Sequence, residues 1–99
     1  MATTRWRVCD DVVWVGEETV RLYHVATGEF RSLNAAGSAI WCLMASGADT
    51  ERIAGELGQK LAGGDPATLQ LIAADVESFL SGLAEHHIVE RITERKAVP

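Results

Sequence analysis

The chain changes in composition after Leu33. Up to that residue it is rich in β-branched and aromatic residues, whereas from Asn34 to about His86 Ala, Leu and Glu recur at helical spacing. Strands that precede helices along a chain predict an α+β fold rather than an alternating βαβ fold. A chain of 99 residues can bury one core, so we expect a single domain over residues 1–99 with its core at about 12–90.

The N-terminal third of the chain predicts a three-stranded antiparallel β-sheet. Strands are expected at residues 12–15 and 19–25, and a turn at residues 26–28 leads to a third strand at residues 29–33. Because two successive hairpins form a meander, the third strand should lie at an edge of the sheet. Residues 6–8 are expected to add a short fourth strand against the opposite edge.

Capping residues predict the bounds of the first two helices. Asn34 is suited to cap the first helix, which Gly47 closes, and Asp49 or Thr50 caps the second, which ends at Gly63-Gly64. The apolar positions that share one face are Ile40, Leu43 and Met44 in the first helix and Ile53, Leu57 and Leu61 in the second.

Asp65 and Pro66 predict the start of a third and longer helix, because proline is favoured at the first helical position. Ile88-Val89 is expected to form a terminal strand or to pack as a tail, and the charged residues 90–99 are expected to fray. Three strands followed by three helices predict a winged helix-turn-helix-like architecture. The apolar stripe of the third helix consists of Leu69, Ile72, Ala73, Val76, Phe79, Leu80 and Leu83.

The charge balance argues against a nucleic-acid-binding protein. The chain has 9 Lys+Arg against 14 Asp+Glu, a formal net charge of −5, and no Lys or Arg lies between Lys60 and Arg91. A recognition helix without basic residues would repel a duplex.

The sequence contains neither an apolar run of membrane-spanning length nor a signal-peptide pattern in residues 1–7. The two cysteines are not part of a CxxC pair. These features predict a cytoplasmic protein with reduced thiols and no membrane partner.

The inventory of catalytic and metal-binding residues is small. His24, His86 and His87 are the only histidines, and Cys9 and Cys42 are far apart in sequence. Their spacing matches no zinc site, and no Gly-rich phosphate loop is present. We therefore expect no catalytic residues, no metal and no cofactor.

The third predicted strand allows two interpretations. Residues 29–33 contain no Pro or Lys, the residues that commonly protect an edge strand from stray pairing. Such an edge beside an apolar helix could accept a peptide as an added strand. The alternative, which the pattern alone favours, is that Phe30 and Leu33 are ordinary core residues.

Several segments resemble the PqqD-like family over roughly residues 12–90. Residues 22–34 resemble the strand–turn–strand that leads to a Leu-Asn pair in that family, and residues 74–80 resemble its Asp-Val-x-x-Phe-Leu helix. Further matching positions are Ile40-Trp41, Gly47, Ile53-Ala54, Leu57 and Leu83.

The resemblance implies a RiPP recognition element, where RiPP denotes a ribosomally synthesised and post-translationally modified peptide. Such a non-catalytic domain binds the leader of a precursor peptide as an antiparallel strand and presents it to a modifying enzyme or protease. By the resemblance, the strand residues at the site are Phe30, Arg31, Ser32 and Leu33, and the helix residues are Asp75, Val76, Phe79 and Leu83. Because side chains alternate along a strand and part of the helix stripe must be core, not all of these can face the peptide.

Other functions stay open at this point. Within the same fold, the chain could be a chaperone of the coenzyme PQQ pathway that works with a radical SAM enzyme, or a leader binder for lasso peptides. A degenerate winged-helix DNA-binding regulator and a dimerising module without a peptide ligand are rivals of other classes. The sequence is compatible with a monomer or a homodimer.

Overall fold

The structure is a computed structural model that describes residues 4–62 and 66–93. It contains a three-stranded sheet, a two-stranded sheet and three helices. The elements in chain order are β1 (Thr4–Val8), β2 (Val12–Val15), β3 (Arg21–His24), β4 (Phe30–Ser32), α1 (Ala35–Ala45), α2 (Thr50–Ala62), α3 (Pro66–Glu85) and β5 (Val89–Thr93). The predicted α+β class, with an antiparallel three-stranded sheet before three helices, is confirmed.

The larger sheet has the strand order β2-β3-β4, and both pairs are antiparallel. Val12 and Leu22 are buried on the face turned towards the helices. The turn before β4 contains Gly28 at φ 74°, a conformation that glycine adopts without steric cost. Because β4 is the last strand in the order β2-β3-β4, it lies at an edge of this sheet, as predicted.

The prediction for residues 6–8 is wrong about the partner strand. β1 pairs with β5 in a separate sheet, with Trp6 opposite Arg91 and Arg7 opposite Glu90. This pairing lets Trp6 pack into the core at 4% exposure, where its Nε1–H donates to Thr50 Oγ1 at 3.0 Å.

The expected fraying of residues 90–99 is likewise wrong for residues 90–93, which belong to β5. Their charged side chains have partners: Arg7 pairs with Glu90 at 2.6 Å, and Arg91 pairs with Glu77. The remainder of that prediction, for residues 94–99, lies outside the described residues.

The predicted caps explain where the first two helices begin. Asn34 Oδ1 accepts from the Gly37 N–H at 2.8 Å, and Asp49 Oδ1 accepts from the Arg52 N–H at 2.8 Å. Gly47, at φ 102°, follows the end of α1. Pro66 is the first residue of α3, as predicted.

One core lies between the larger sheet and the helices. Its fully buried members include Leu22, Trp41, Met44, Ile53 and Leu80. The predicted turn at residues 63–65 and the side chains of Leu61 and Leu69 lie outside the described part of the chain. None of the helices, as far as the structure describes them, is long and apolar enough to span a membrane.

Candidate functional site

The free edge of β4 is the first component of the site. Among the strands of residues 4–62 and 66–93, β4 pairs with β3 alone, with Tyr23 opposite Phe30, Leu22 opposite Arg31 and Arg21 opposite Ser32. An edge strand leaves alternate backbone N–H and C=O groups available to another chain.

The hydrogen-bond register shows which backbone groups face outward. The Leu33 N–H donates to Val20 O at 2.8 Å, and the His24 N–H donates to Glu29 O at 2.9 Å. In an antiparallel pair the bonded positions alternate, so Arg31 is bonded towards β3. The N–H and C=O groups of Phe30 and Ser32 therefore point away from the sheet.

Side chains of β4 alternate between the two faces of the sheet. Phe30 is 64% exposed, and Ser32 is also exposed. Arg31 is half-buried on the opposite face and pairs with Glu29 at 2.8 Å, whereas Leu33 is buried in the core. The strand thus offers an open edge with a different surface above and below it.

The chain turns from β4 directly into α1, and α3 meets it there. Leu33 and the cap residue Asn34 separate the two elements. A Cβ placed on Gly37, in the first turn of α1, would lie 3.1 Å from Cζ of Phe79. The half-buried ring of Phe79 is therefore held against the first turn of α1, at Gly37, five residues beyond Ser32.

The α3 residues of the predicted site divide into surface and core. Asp75 is exposed and Phe79 is half-buried, whereas Val76 and Leu83 are only 1% and 4% exposed. Asp75 and Phe79 are four residues apart, so they lie one above the other on the same side of α3. Val76 and Leu83, like Leu33 on the strand, support this surface from beneath and do not present side chains to it.

Leu71 was not singled out in the sequence. It is 68% exposed and precedes Asp75 by four residues, which continues the line of Asp75 and Phe79 along α3. The sequence alone supplies the spacing, a leucine four residues before a predicted site residue, whereas its exposure is visible only in the structure. Tyr23, which is opposite Phe30 and 40% exposed, was also missed.

Two of the groups considered for chemistry in the sequence, Cys9 and His24, lie in structural environments. Among the described residues, no group of three or more His, Cys, Asp or Glu side chains could hold a metal ion. Burial, and then the charge of Glu90, raises the pKa of the Cys9 thiol, so this thiol is protonated at neutral pH and is a poor nucleophile. His24 Nδ1 accepts from the Thr27 N–H at 3.4 Å and its Nε2 lies 3.2 Å from His87 O, which gives this buried histidine a structural role.

The described elements define a small α+β domain in which a β-meander ends at an exposed edge strand and continues into three helices. A family model described as "Coenzyme PQQ synthesis protein D (PqqD)" matches residues 19–89. The chain belongs to this PqqD family.

Among solved structures, the chain is similar to one described as "TbiB1 in Complex with the TbiA(beta) Leader Peptide". The two share 29% sequence identity with a TM-score of 0.76, over 85% of this chain and 94% of that one. A comparison with curated proteins found no match.

Proposed function

We propose that this protein binds the leader segment of a ribosomally synthesised precursor peptide as an additional antiparallel strand on β4. The observation that carries the proposal is the edge of β4, where Phe30 and Ser32 direct their backbone groups outward, with Phe79 of α3 packed against the first turn of the helix that follows β4. Membership of the PqqD family and the likeness to TbiB1, which was solved with a leader peptide, support it.

Strand addition divides recognition between backbone and side chains. Hydrogen bonds to Phe30 and Ser32 supply affinity for many sequences, and the surface between β4 and α3 selects among side chains. Arg31, Asp75 and Phe79 line this surface, while Leu33, Val76 and Leu83 hold it in place from the core. Each well-seated apolar side chain of the leader contributes about 1.5–3 kcal/mol before entropy costs.

Once it has bound the leader, the protein has the proposed role of presenting the precursor peptide to an enzyme. A leader tethered beside a modifying enzyme or leader protease raises the effective concentration of the attached core peptide at that enzyme's active site. The domain itself needs no catalytic group, metal or cofactor for this task. The proposed place of action is the cytoplasm, with the domain acting as a monomer or a homodimer.

A second candidate function is the delivery of a precursor peptide to a radical SAM enzyme in coenzyme PQQ synthesis, which the description of the family model supports. It uses the same site in the same way and differs in the peptide that is bound. Leader binders for lasso peptides are a further specialisation of the proposed function.

The charge of α3 disfavours the DNA-binding alternative. Asp75 and Glu85 are exposed and Glu77 is half-buried, while Arg91, the basic residue next to this helix, is already paired with Glu77. A helix with this surface would face a phosphate backbone with like charge.

Fluorescence polarisation tests the proposal directly. The probe is a fluorescein-labelled synthetic leader of the precursor peptide encoded beside this chain's gene, with a scrambled leader and a labelled DNA duplex as controls. We expect saturable binding of the leader alone, with little change between roughly 50 and 200 mM salt. A duplex binder with many phosphate contacts would lose about 10³–10⁵ in affinity over that range. Equal binding of the scrambled peptide, or tighter binding of the duplex, would contradict the proposal.

A further inference from the structure

The outer face of the larger sheet, which is turned away from the helices, carries a row of exposed apolar side chains. Val13 is opposite Tyr23, and Tyr23 is opposite Phe30. These three side chains are 57%, 40% and 64% exposed. The solvent face of an antiparallel sheet is normally polar, so an apolar row across all three strands calls for a partner.

The row ends at the edge of β4 in an aromatic pair. The rings of Tyr23 and Phe30 have centroids 6.4 Å apart at an interplanar angle of 52°. A shallow depression of about 400 Å³ lies along the row. Phe30 is therefore an apolar ring at the boundary between the sheet and the position of the next strand.

The backbone register fixes what an added strand would place beside that ring. Because the N–H and C=O of Phe30 point outward, the leader residue opposite Phe30 forms a hydrogen-bonded pair with it. Directly opposite residues on neighbouring strands place their side chains on the same face, about 4.5–5.5 Å apart at Cβ. The next leader residue, opposite Arg31, points to the other face, on which the helices pack.

We propose that the leader residue paired with Phe30 is apolar and packs over the Phe30 and Tyr23 rings on the outer face of the sheet. Leader recognition is then two-sided: alternate residues bind the outer face and the surface beside α3. This inference rests on the proposed function and adds to it a second specificity surface.

The position of the row favours the leader over a larger partner as the occupant of its β4 end. Strands are spaced about 4.8 Å apart, so a leader on β4 contacts Phe30 and reaches Tyr23. Val15 on β2 lies about 14 Å away, three strand spacings from the leader. A partner enzyme or a second copy that covered the whole face would also contact Val15, which lies on the same face as Val13 and is 68% exposed, so a substitution of Val15 distinguishes these occupants from the leader.

A double-mutant cycle tests the inference. The protein variants are Phe30→Ser and, as a matched control on the same face, Val15→Thr. Each is titrated with the labelled leader of the precursor encoded beside this chain's gene and with leaders carrying single alanine substitutions. Phe30 is mostly exposed, so its replacement should leave the circular dichroism spectrum and the thermal midpoint nearly unchanged.

We expect Phe30→Ser to weaken leader binding about tenfold, Val15→Thr to leave it unchanged, and Phe30→Leu to restore most of it. One leader alanine variant should lose nothing further on the Phe30→Ser background, because the two changes remove the same contact. If the wild type binds the leader but Phe30→Ser binds equally well, the second surface is refuted and strand addition stands. If Val15→Thr weakens leader binding as much as Phe30→Ser, the effect is not specific to the β4 end of the row and the inference fails. If the wild-type protein does not bind the leader, the proposed function is contradicted, and the inference that rests on it fails as well.

Discussion

Phe79 on α3 lies directly against Gly37 on α1, so closely that a Cβ on Gly37 would be 3.1 Å from the ring. This contact joins the helix that borders the proposed groove to the helix that follows β4. Because Phe79 belongs to the proposed peptide-binding surface, this contact sets where its ring stands relative to the helix that follows β4.

Gly37→Ala should affect peptide binding more than folding. Alanine adds about 0.5–1 kcal/mol of helix stability, which offsets part of the crowding of its Cβ against the half-buried Phe79 ring and against the cap oxygen Asn34 Oδ1, which would also lie 3.1 Å away. We expect the free energy of unfolding to change by less than about 1 kcal/mol, while leader affinity falls because the added Cβ displaces the Phe79 ring from its place in the proposed peptide-binding surface. Urea denaturation and fluorescence polarisation measure the two effects.

Gly55→Ala on α2 is the matched control, because an added Cβ there meets nothing within 4 Å. It should stabilise the domain by about 0.5–1 kcal/mol and leave leader binding unchanged. Equal effects of the two alanines on binding would show that the Gly37–Phe79 contact does not shape the site.

Proline substitutions on β4 should separate binding from folding. Ser32→Pro removes an N–H that points away from the sheet, so we expect the fold to survive and leader affinity to fall about tenfold or more. Arg31→Pro removes the N–H bonded towards β3 and should cost about 1–3 kcal/mol of stability. Thermal unfolding of both variants, followed by leader titration, distinguishes them. Loss of folding in Ser32→Pro together with normal folding in Arg31→Pro would show that the Ser32 N–H, and not the Arg31 N–H, is bonded to β3.

Leu71 should extend the peptide-binding surface of α3. Leu71→Ser removes an exposed apolar side chain in line with Asp75 and Phe79, so we expect leader affinity to fall about three- to tenfold without loss of stability. Gln70→Ser, at an exposed position about 100° around α3 from Leu71 and on the side opposite Phe79, is the control and should bind normally. If the two variants bind the leader alike, the surface ends before Leu71.

Trp6 should stabilise the domain by joining β1 to α2 and β5. Its indole donates to Thr50, and the Arg91 guanidinium lies 4.7 Å from the centroid of its ring. Trp6→Phe keeps an aromatic ring but loses the donor, so we expect a loss of about 1–2 kcal/mol in urea denaturation. Thr50→Val removes the same bond from the other side, and the double variant should lose clearly less than the sum of the two. If the losses in the free energy of unfolding of the two single variants add fully in the double variant, the Trp6–Thr50 hydrogen bond contributes nothing to stability.

Local signals in the sequence predicted much of this fold. The cap at Asn34 is a short-range interaction, with its partner Gly37 three residues away, and the meander that leaves β4 at an edge follows from short turns. The pairing of β1 with β5 joins Arg7 to Glu90, 83 residues apart, and no local pattern specifies it. Residue spacing also could not predict which backbone N–H and C=O groups of β4 point away from the sheet, because that depends on the pairing register of β4 with β3.

The sequence predicted which segments form the candidate site, but it did not predict which of their side chains are exposed. Apolar spacing placed Val76, Phe79 and Leu83 on one stripe of α3, but only packing against the other elements buries Val76 and Leu83 and leaves Phe79 at the surface. The apolar row of Val13, Tyr23 and Phe30 depends on two registers at once, so it becomes visible only when the strands are aligned.

Amide hydrogen exchange followed by NMR, with and without saturating leader peptide, tests the central claim most directly. In the free protein, the amides of Arg31 and Leu33 should be protected by β3, whereas those of Phe30 and Ser32 should exchange rapidly. Addition of the leader should slow exchange at Phe30 and Ser32 and at alternate amides of the peptide, as an antiparallel strand pair requires. Leader binding that leaves the Phe30 and Ser32 amides exchanging at their free rates would contradict strand addition at β4.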